Sequence, residues 1–491
     1  MKIKNYAKVH VTNWANYDNI RKICSIIDGN KNVTRKILFT MLKFGQKTNR
    51  VDLLANDVIS YSKYIHGSLD GAFTNACKQY KTANNLPLYE AEGFFGSRMD
   101  DEPSASRYIK TKNKAYLEKI FRKEDSDILK KQSFEGFDIE PAFYVPVLPM
   151  LLIHGNLGTS PGFRQFIMKR NPRDIAENLF NYLDGLELNH MIPYYNNFKG
   201  EIVRTDKTKQ YLFKGVIERS NTSTVVITEL PLLSRKWGEL KKNEKFLYSL
   251  KDAGKIVSFK SECNTKTDDF RYIIKFKRED LAKLDDARLR KLLAIDNVYT
   301  ETTIGFDENN KMQSYSSINE ILKAYCVVRL DRYKERKKSV INAMKRNILV
   351  NENKARFINE VLDDVICFKG KTTAQMSKIL QDNKYDKVDR TYTYLLDITQ
   401  GATTTDRIDS LKKSIGKLYI DLKAYQAIDI KDMWKNEINE IMIAIGEKKI
   451  SENRKKAIVE VKPTTIEESK PQEEIDRDTH NIIRNKKVSY I

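Results

Sequence analysis

A chain of 491 residues is too long for one hydrophobic core, so roughly two to four domains are expected. Its charged (31%) and hydrophobic (41%) fractions are ordinary for a globular protein, but a net charge of +21 would repel itself unless a polyanion balanced it. That makes nucleic acid the natural partner, with a basic but inert surface as the alternative. Five scattered cysteines and five scattered histidines exclude a disulfide framework and a Cys/His zinc site, and no apolar run is long enough to span a membrane or form a signal-peptide core.

In chain order, residues 17–115 read as short helices. Ile20, Ile23, Ile26 and Ile27 form a stripe before Asp28-Gly29. A second helix runs through Arg35–Lys43, and a third covers Leu53 to Tyr64 and ends near His66-Gly67. Three short helices with basic residues on one face suit a helix-turn-helix or winged-helix module, and otherwise an ordinary helical subdomain. Pro141 to Ile153 is apolar but broken by prolines, so it reads as extended chain entering a glycine loop (Gly155, Gly158, Gly162), not as helix. Asn171-Pro172 starts a helix through Ala176 to Leu183.

From 198 to 310 the pattern changes: Val225–Pro231 and Phe270–Lys277 are strand-like, with helices between, and an α+β domain fits. Ile318 to Ile366 carries one long helical stripe. Leu411 to Tyr425, continued by Trp434, Ile438 and Ile441, carries a second. The two predict an antiparallel helical arm around a small globule, or a plain helical bundle. After about residue 446 the periodicity fades, and 447–491 reads as an unstructured tail.

One dipeptide invites chemistry. Arg107-Tyr108 follows a loop containing Gly93, Gly96 and Ser97 in a very basic chain. A tyrosine hydroxyl can attack a DNA phosphodiester, and an adjacent guanidinium can offset charge building on the phosphorus oxygens. A phenol ionises near pH ~10, so such a nucleophile needs nearby cations or a metal-bound base at neutral pH. His66 can donate a hydrogen bond or shuttle a proton, or else cap helix carbonyls. The pairs Asp100-Asp101, Asp363-Asp364, Asp125/Asp127 and Asp476/Asp478 read as solvated charges, because none follows an apolar strand that would build a metal site.

Seven segments, in order, resemble the breakage-reunion subunit of type IIA DNA topoisomerases, a family that includes the separate medium subunit of T-even-type phages and, more distantly, gyrase A. Ile27-Asp-Gly-Asn-Lys-Asn-Val-Thr-Arg-Lys-Ile-Leu38 is similar to D-G-x-K-P-x-x-R-x-V-L, and Lys63-Tyr-Ile-His-Gly67 to Y-H-H-G. Glu92-Gly-Phe-Phe-Gly-Ser-Arg98 resembles G-Q-G-N-F-G-S, and Ser104-Ala-Ser-Arg-Tyr-Ile109 resembles A-x-R-Y. Pro141-Ala-Phe-Tyr-Val-Pro-Val-Leu-Pro149 is similar to P-x-x-L-P-x-x-x-P; Phe198-Lys-Gly200 and Ile227-Thr-Glu-Leu-Pro231 follow. The likeness is densest from Asp28 to Asp174, followable to about 445, and absent from the tail.

The resemblance implies an α+β multidomain architecture: a winged-helix DNA-cleavage domain at 1–195 and an α/β tower at 196–312. A long antiparallel coiled-coil arm at 313–366 and 406–446 would carry a C-terminal dimerisation gate at 367–405. It also implies roles: Tyr108 as the nucleophile that forms a 5′-phosphotyrosyl ester, Arg107 as transition-state stabiliser, and His66 and Arg35 acting on the same phosphate. Implied DNA contacts are Lys31, Arg35, Lys36, Lys43, His66, Ser97, Arg98, Leu157 and Thr159. The chain has no Toprim-like Glu-Gly-Asp and no Walker A loop. Mg2+ and ATP are therefore expected on a partner ATPase/Toprim subunit, with this chain a homodimer within a larger assembly on double-stranded DNA. The implied setting is a bacterial or phage-infected cytoplasm. A non-enzymatic architectural DNA-binding protein of the same fold is the alternative. Three positions depart from the pattern: Asn30 and Asn32 near the first motif, and Thr159, where the family has an isoleucine that wedges between base pairs. Leu157 is the nearest aliphatic.

Overall fold

The computed structural model describes residues 3–367, 370–399 and 404–450. They divide into two compact units: the described residues of 3–122, 129–329 and 437–450 in one, those of 123–128 and 330–436 in the other. No helix among the described residues is long and apolar enough to cross a membrane. The tail expected at 447–491 lies, from residue 451, outside them.

The first unit begins with α1 (Ile3–Tyr6), which passes through a π-helical stretch into α2 (Thr12–Lys22). The isoleucine stripe is not one helix. Ile23 is extended, and Ile26 and Ile27 are buried in a turn where Ser25 bridges Phe306. Gly29 forces the turn: its φ is +67°, and a side chain there would meet the Leu151 backbone nitrogen at 2.3 Å. α3 (Asn32–Phe44), α4 (Val51–Ser62) and α5 (Asp70–Cys77) then pack together and bury residues at helical spacing, among them Ile37, Leu38 and Met41 of α3 and Leu54 and Val58 of α4. α4 starts and stops two residues earlier than the sequence suggests, because Lys63 takes a left-handed conformation, φ 53°, and ends it. Beside the helices, β1 (Asn49–Arg50), β2 (Tyr89–Glu92) and β3 (Lys110–Asn113) form an antiparallel sheet in the order β1-β3-β2.

After α6 (Leu117–Ile120), β4 (Gln132–Phe134) and β5 (Phe137–Ile139) make a hairpin. The proline run is extended as far as Pro149, and there the reading needs correcting: Met150–His154 is a short helix, α7. Pro149 supplies its N-cap, and beyond it no further proline removes a donor, so the Leu152 amide reaches the Pro149 carbonyl at 3.0 Å. The hairpin β6 (Asn156–Ser160) and β7 (Phe163–Ile167) follows, then α8 (Pro172–Leu183), where Asn171 caps the Arg173 amide and proline sits at the first helical position.

β8 (Glu201–Arg204), β9 (Gln210–Lys214), β10 (Val216–Asn221) and β11 (Thr224–Glu229) lead to α9 (Leu240–Asp252), β12 (Ser258–Ser261) and β13 (Tyr272–Lys275). α10 (Arg278–Ala282), α11 (Asp286–Leu292) and β14 (Asp296–Thr300) complete two antiparallel sheets, β10-β11-β13-β12 and β14-β9-β8. Both strand-like runs seen in the sequence are strands of the four-stranded sheet. Its core gathers Val225, Ile227, Leu247, Tyr272, Ile274, Leu281 and Leu289 around Trp237. The Trp237 indole donates to the Leu293 carbonyl at 2.8 Å. β15 (Ile304–Phe306) and β16 (Met312–Ser314) precede α12 (Ile318–Leu362), a helix of 45 residues.

The second unit holds the distal part of α12, then α13 (Thr373–Asp382), α14 (Thr393–Leu396), α15 (Thr405–Ala427) and the start of α16 (Ile430–Ala444). α12 and α15 run antiparallel: Ala355 and Ile358 pack on Ile408 and Leu411, Tyr419 donates to Glu352 at 2.8 Å, and the Lys337 ammonium reaches the Gln426 and Ile428 carbonyls at 2.8 and 2.6 Å. The second sequence stripe is two helices: Ile428 is extended, and Asp429 accepts the Lys431 amide at 2.7 Å. A small core of Phe357, Ile366, Met376, Leu380, Tyr385, Tyr392 and Leu395 closes this unit. Asp125, read as a solvated charge, is instead buried and faces Arg336 at 3.4 Å. The cysteines divide as well: Cys24, Cys77 and Cys326 are buried, Cys263 is half-buried and Cys367 exposed.

Trp237→Ala is expected to lower stability by about 3–5 kcal/mol, because a filled core loses its largest side chain. Guanidinium unfolding followed by circular dichroism should show the shift, and an unchanged midpoint would contradict the placement of this ring.

Candidate active site

Tyr108 ends a 3-10 turn, Ser106–Tyr108, closed by the Tyr108 amide on the Ala105 carbonyl at 2.8 Å. Its neighbour Ile109 is buried, and the Ile109 carbonyl accepts the Val51 amide at 3.0 Å, which fastens the turn to the first residue of α4. The loop before it folds on itself: the Ser97 amide reaches the Asp100 carbonyl at 2.7 Å, and the Ser104 amide the Phe94 carbonyl at 3.0 Å. Gly93 and Gly96 take φ values of +103° and +92°, and a side chain on Gly93 would press on Ile109 at 2.9 Å. The turn is thus held from both sides while the Tyr108 ring stays 72% exposed. The Arg107 guanidinium carbon lies 5.0 Å from the centre of that ring, so cation and phenol are delivered to solvent as a unit.

At its other end α4 leads through Lys63 and Tyr64 to His66, which is exposed. The imidazole does not cap helix carbonyls. Its Nε2 pairs with the Tyr17 hydroxyl from α2, and the Tyr64 ring stands edge-on at 5.7 Å. Tyr17 was not singled out in the sequence, where nothing in its spacing to His66 signals the contact.

Three cations expected on DNA are turned inward and paired with carboxylates. Arg35 grips Asp28 with two hydrogen bonds, 2.7 and 3.1 Å, and adds the Asn30 carbonyl at 3.3 Å. Burial opposes its charge, but Asp28 outweighs this and keeps the guanidinium pKa raised. Lys36 donates to Glu140 at 2.8 Å and to the Ser62 carbonyl at 2.6 Å. Arg98 clasps Glu229 at 2.6 and 3.2 Å. A buried cation with its carboxylate in place would have to break that pair to reach a phosphate, leaving a buried charge unpaired. Ser97 is also used locally, its hydroxyl accepting the Met99 and Asp100 amides at 3.1 and 3.0 Å.

Other predicted contacts face solvent. Lys31 is half-buried at the start of α3, and Lys43 is exposed, its ammonium 4.0 Å from the centre of the Tyr61 ring. On the β6–β7 hairpin, Leu157 is 58% exposed and Thr159 is also exposed, while Gly158 and Ser160 between them are buried. Alternation on a strand puts Leu157 and Thr159 on one face. Gly158 sits against the Lys22 carbonyl, 2.1 Å from where a side chain would begin, and Gln165 ties the second strand to Cys24 and to the Ile304 carbonyl at 2.6 Å. Arg164, missed in the sequence, stands directly across from Thr159 and is exposed; a basic residue just past a Pro-Gly turn is the signal that could have found it. Among the described residues, no three His, Cys, Asp or Glu side chains converge to hold a metal ion.

Comparison with known proteins gives this geometry a family. The sequence profile of the DNA gyrase/topoisomerase IV A subunits matches residues 21–439. DNA topoisomerase 2 of Plasmodium falciparum is 29% identical over 476 residues, covering 88% of this chain and 34% of that protein. DNA topoisomerase 2 of Arabidopsis thaliana is 32% identical over 376 residues, covering 74% and 25%. The chain thus spans about a third or less of the curated relatives it matches. Among solved structures, the Plasmodium falciparum topoisomerase II DNA-binding, cleavage and re-ligation domain superposes with a TM-score of 0.80 at 27% identity, over 90% of this chain and 64% of that one. The chain belongs to the family of DNA gyrase/topoisomerase IV A subunits.

Proposed function

We propose that this chain is the DNA-cleaving and rejoining part of a type IIA DNA topoisomerase, and that Tyr108 is its nucleophile. The observation that carries the reading is an exposed phenol on a rigidly fastened turn with the Arg107 guanidinium against its ring. Tyr108 Oη attacks phosphorus and forms a phosphotyrosyl ester at the 5′ end. The 3′ oxygen leaves and takes up a proton, the phenol having lost one, and rejoining is the reverse. Arg107 offsets charge on the phosphorus oxygens, and His66 donates a hydrogen bond to the same phosphate. Arg35, Lys36 and Arg98 act as scaffold. Among the described residues no three His, Cys, Asp or Glu side chains converge, and Asp125 and Asp101 are engaged by Arg336 and Lys78. The metal carboxylates and ATP site are assigned to an ATPase/Toprim partner subunit.

In this reading α3–α5 with β1–β3 are the winged-helix module, the sheets of 196–312 the tower, and the antiparallel α12 and α15 the arm. The core around Phe357 and Tyr392 belongs to the dimerisation gate. The hairpin tip would meet the DNA, with Leu157 as wedge in place of the isoleucine that Thr159 replaces and Lys31, Lys43 and Arg164 on phosphates. An architectural role without cleavage is the competing reading, and a covalent protein–DNA adduct separates the two.

Tyr108→Phe should abolish the covalent adduct, read by denaturing gel with partner, Mg2+ and supercoiled plasmid, while DNA binding stays within about two-fold, since only the hydroxyl is removed and the ring's packing is kept. An adduct formed by the Phe variant would refute the assignment. The chain alone should bind duplex DNA with an affinity that falls steeply with salt, through counterion release. It should not cleave, and Mg2+-dependent cleavage by the highly purified chain would overturn the division of labour. Leu157→Ala should reduce DNA bending, because the contacts that offset a few kcal/mol of base unstacking are lost, whereas Thr159→Ala should leave it unchanged. Energy transfer across a doubly labelled duplex reads the bend, and wild-type bending by Leu157→Ala would eliminate the wedge.

A further inference from the structure

We propose that Tyr17 is a positioning residue for His66, an inference that rests on the role given to His66 above. Tyr17 lies on α2, far in sequence from the histidine, and its hydroxyl meets the imidazole Nε2, the nearer ring nitrogen, and lies 3.4 Å from Nδ1. The two rings stand 5.6 Å apart, tilted by 56°. On the other side the Tyr64 ring meets the imidazole edge-on, and the Tyr64 hydroxyl reaches the His66 carbonyl at 3.4 Å. One turn along α2, the Arg21 guanidinium lies 5.7 Å from the Tyr17 ring centre.

Both Tyr17 and His66 are exposed. Water would satisfy either group there, so this bond is not needed to offset burial. What it does is choose an orientation. A neutral imidazole has one N–H and one lone pair, and which nitrogen carries the proton is set by the hydrogen bond made by the other. In this proposal the phenol donates to Nε2, the nearer of the two ring nitrogens, which keeps the proton on Nδ1 and presents a single donor edge. Phosphate oxygens only accept, so a ring free to turn or to exchange tautomers would meet them part of the time with its lone pair. The arrangement works as an orienting partner to a proton-donating histidine, supplied by a helix outside the three-helix module that carries His66.

The test begins with the imidazole itself. In the full chain labelled with 15N-histidine, the signal lost in His66→Ala should report one tautomer, with two well-separated nitrogen shifts. In Tyr17→Phe the two shifts should move toward each other. Unchanged shifts would overturn the proposal, whatever becomes of the role given to Tyr108. With partner, Mg2+ and plasmid, Tyr17→Phe should slow adduct formation at saturating DNA by about two- to ten-fold, the span of one net hydrogen bond, with DNA affinity unchanged. In a His66→Ala background Tyr17→Phe should add nothing. The same fold-loss in both backgrounds, or a loss confined to DNA affinity, would show a surface contact and refute the positioning role. If Tyr108→Phe still forms the adduct, the functional reading fails on its own account, and the nitrogen shifts still judge the pairing.

Discussion

The Asp28 carboxylate organises the region around the candidate site. It is fully buried and saturated: one oxygen accepts Arg35 Nε at 2.7 Å and the Tyr144 amide at 3.1 Å, the other accepts the Asn30 amide at 3.0 Å and Arg35 Nη2 at 3.1 Å. Three pieces of chain meet there: the turn after α2, helix α3, and the proline run that precedes α7. Breaking such a buried pair by removing one partner costs on the order of 3–5 kcal/mol, so its geometry is defended by the whole surrounding packing. Gly29 follows from the same constraint, since the turn that brings Asp28 inward also brings the backbone against Leu151.

A net charge of +21 does not translate directly into a DNA-binding surface. Arg35, Lys36, Arg98 and Arg170 all have side chains turned inward against carboxylates, Arg170 with Glu301 at 2.8 Å. These pairs fix the relative placement of helices, loops and sheets within the first unit. The cations left exposed at the surface include Arg107, Lys43 and Arg164, the ones proposed to meet phosphate. The same residue types serve two purposes, and burial sorts them.

The hairpin β6–β7 shows how a close backbone approach aims side chains. Gly158 abuts the Lys22 carbonyl, and Gln165 bonds to the backbone of Cys24. With those inner positions pinned, the pleat leaves Leu157 and Thr159 no direction but outward. The isoleucine expected of the family is missing, yet the surface it would occupy is still built, and an aliphatic side chain stands two residues away on the same face.

The strands Val225–Glu229 and Tyr272–Lys275, the helix capped by Asn171-Pro172, and the long α12 were legible in the chain, because each rests on local periodicity and capping. So was the Arg107-Tyr108 dipeptide, whereas the placing of the guanidinium 5.0 Å from the ring centre belongs to the 3-10 turn that carries it. Other features were decided only by tertiary structure. The isoleucines before Asp28 match a helical stripe, but long-range contacts to Phe306 and Leu151 bend them into a turn. A sequence displays Arg35, Lys36 and Arg98 as charges but not the carboxylates Asp28, Glu140 and Glu229 that claim them, the last two more than a hundred residues away. Nor does it display the meeting of Tyr17 with His66. Local chemistry is written in neighbouring residues, whereas the partner of a charge or of an imidazole is set by which distant segments the core brings together.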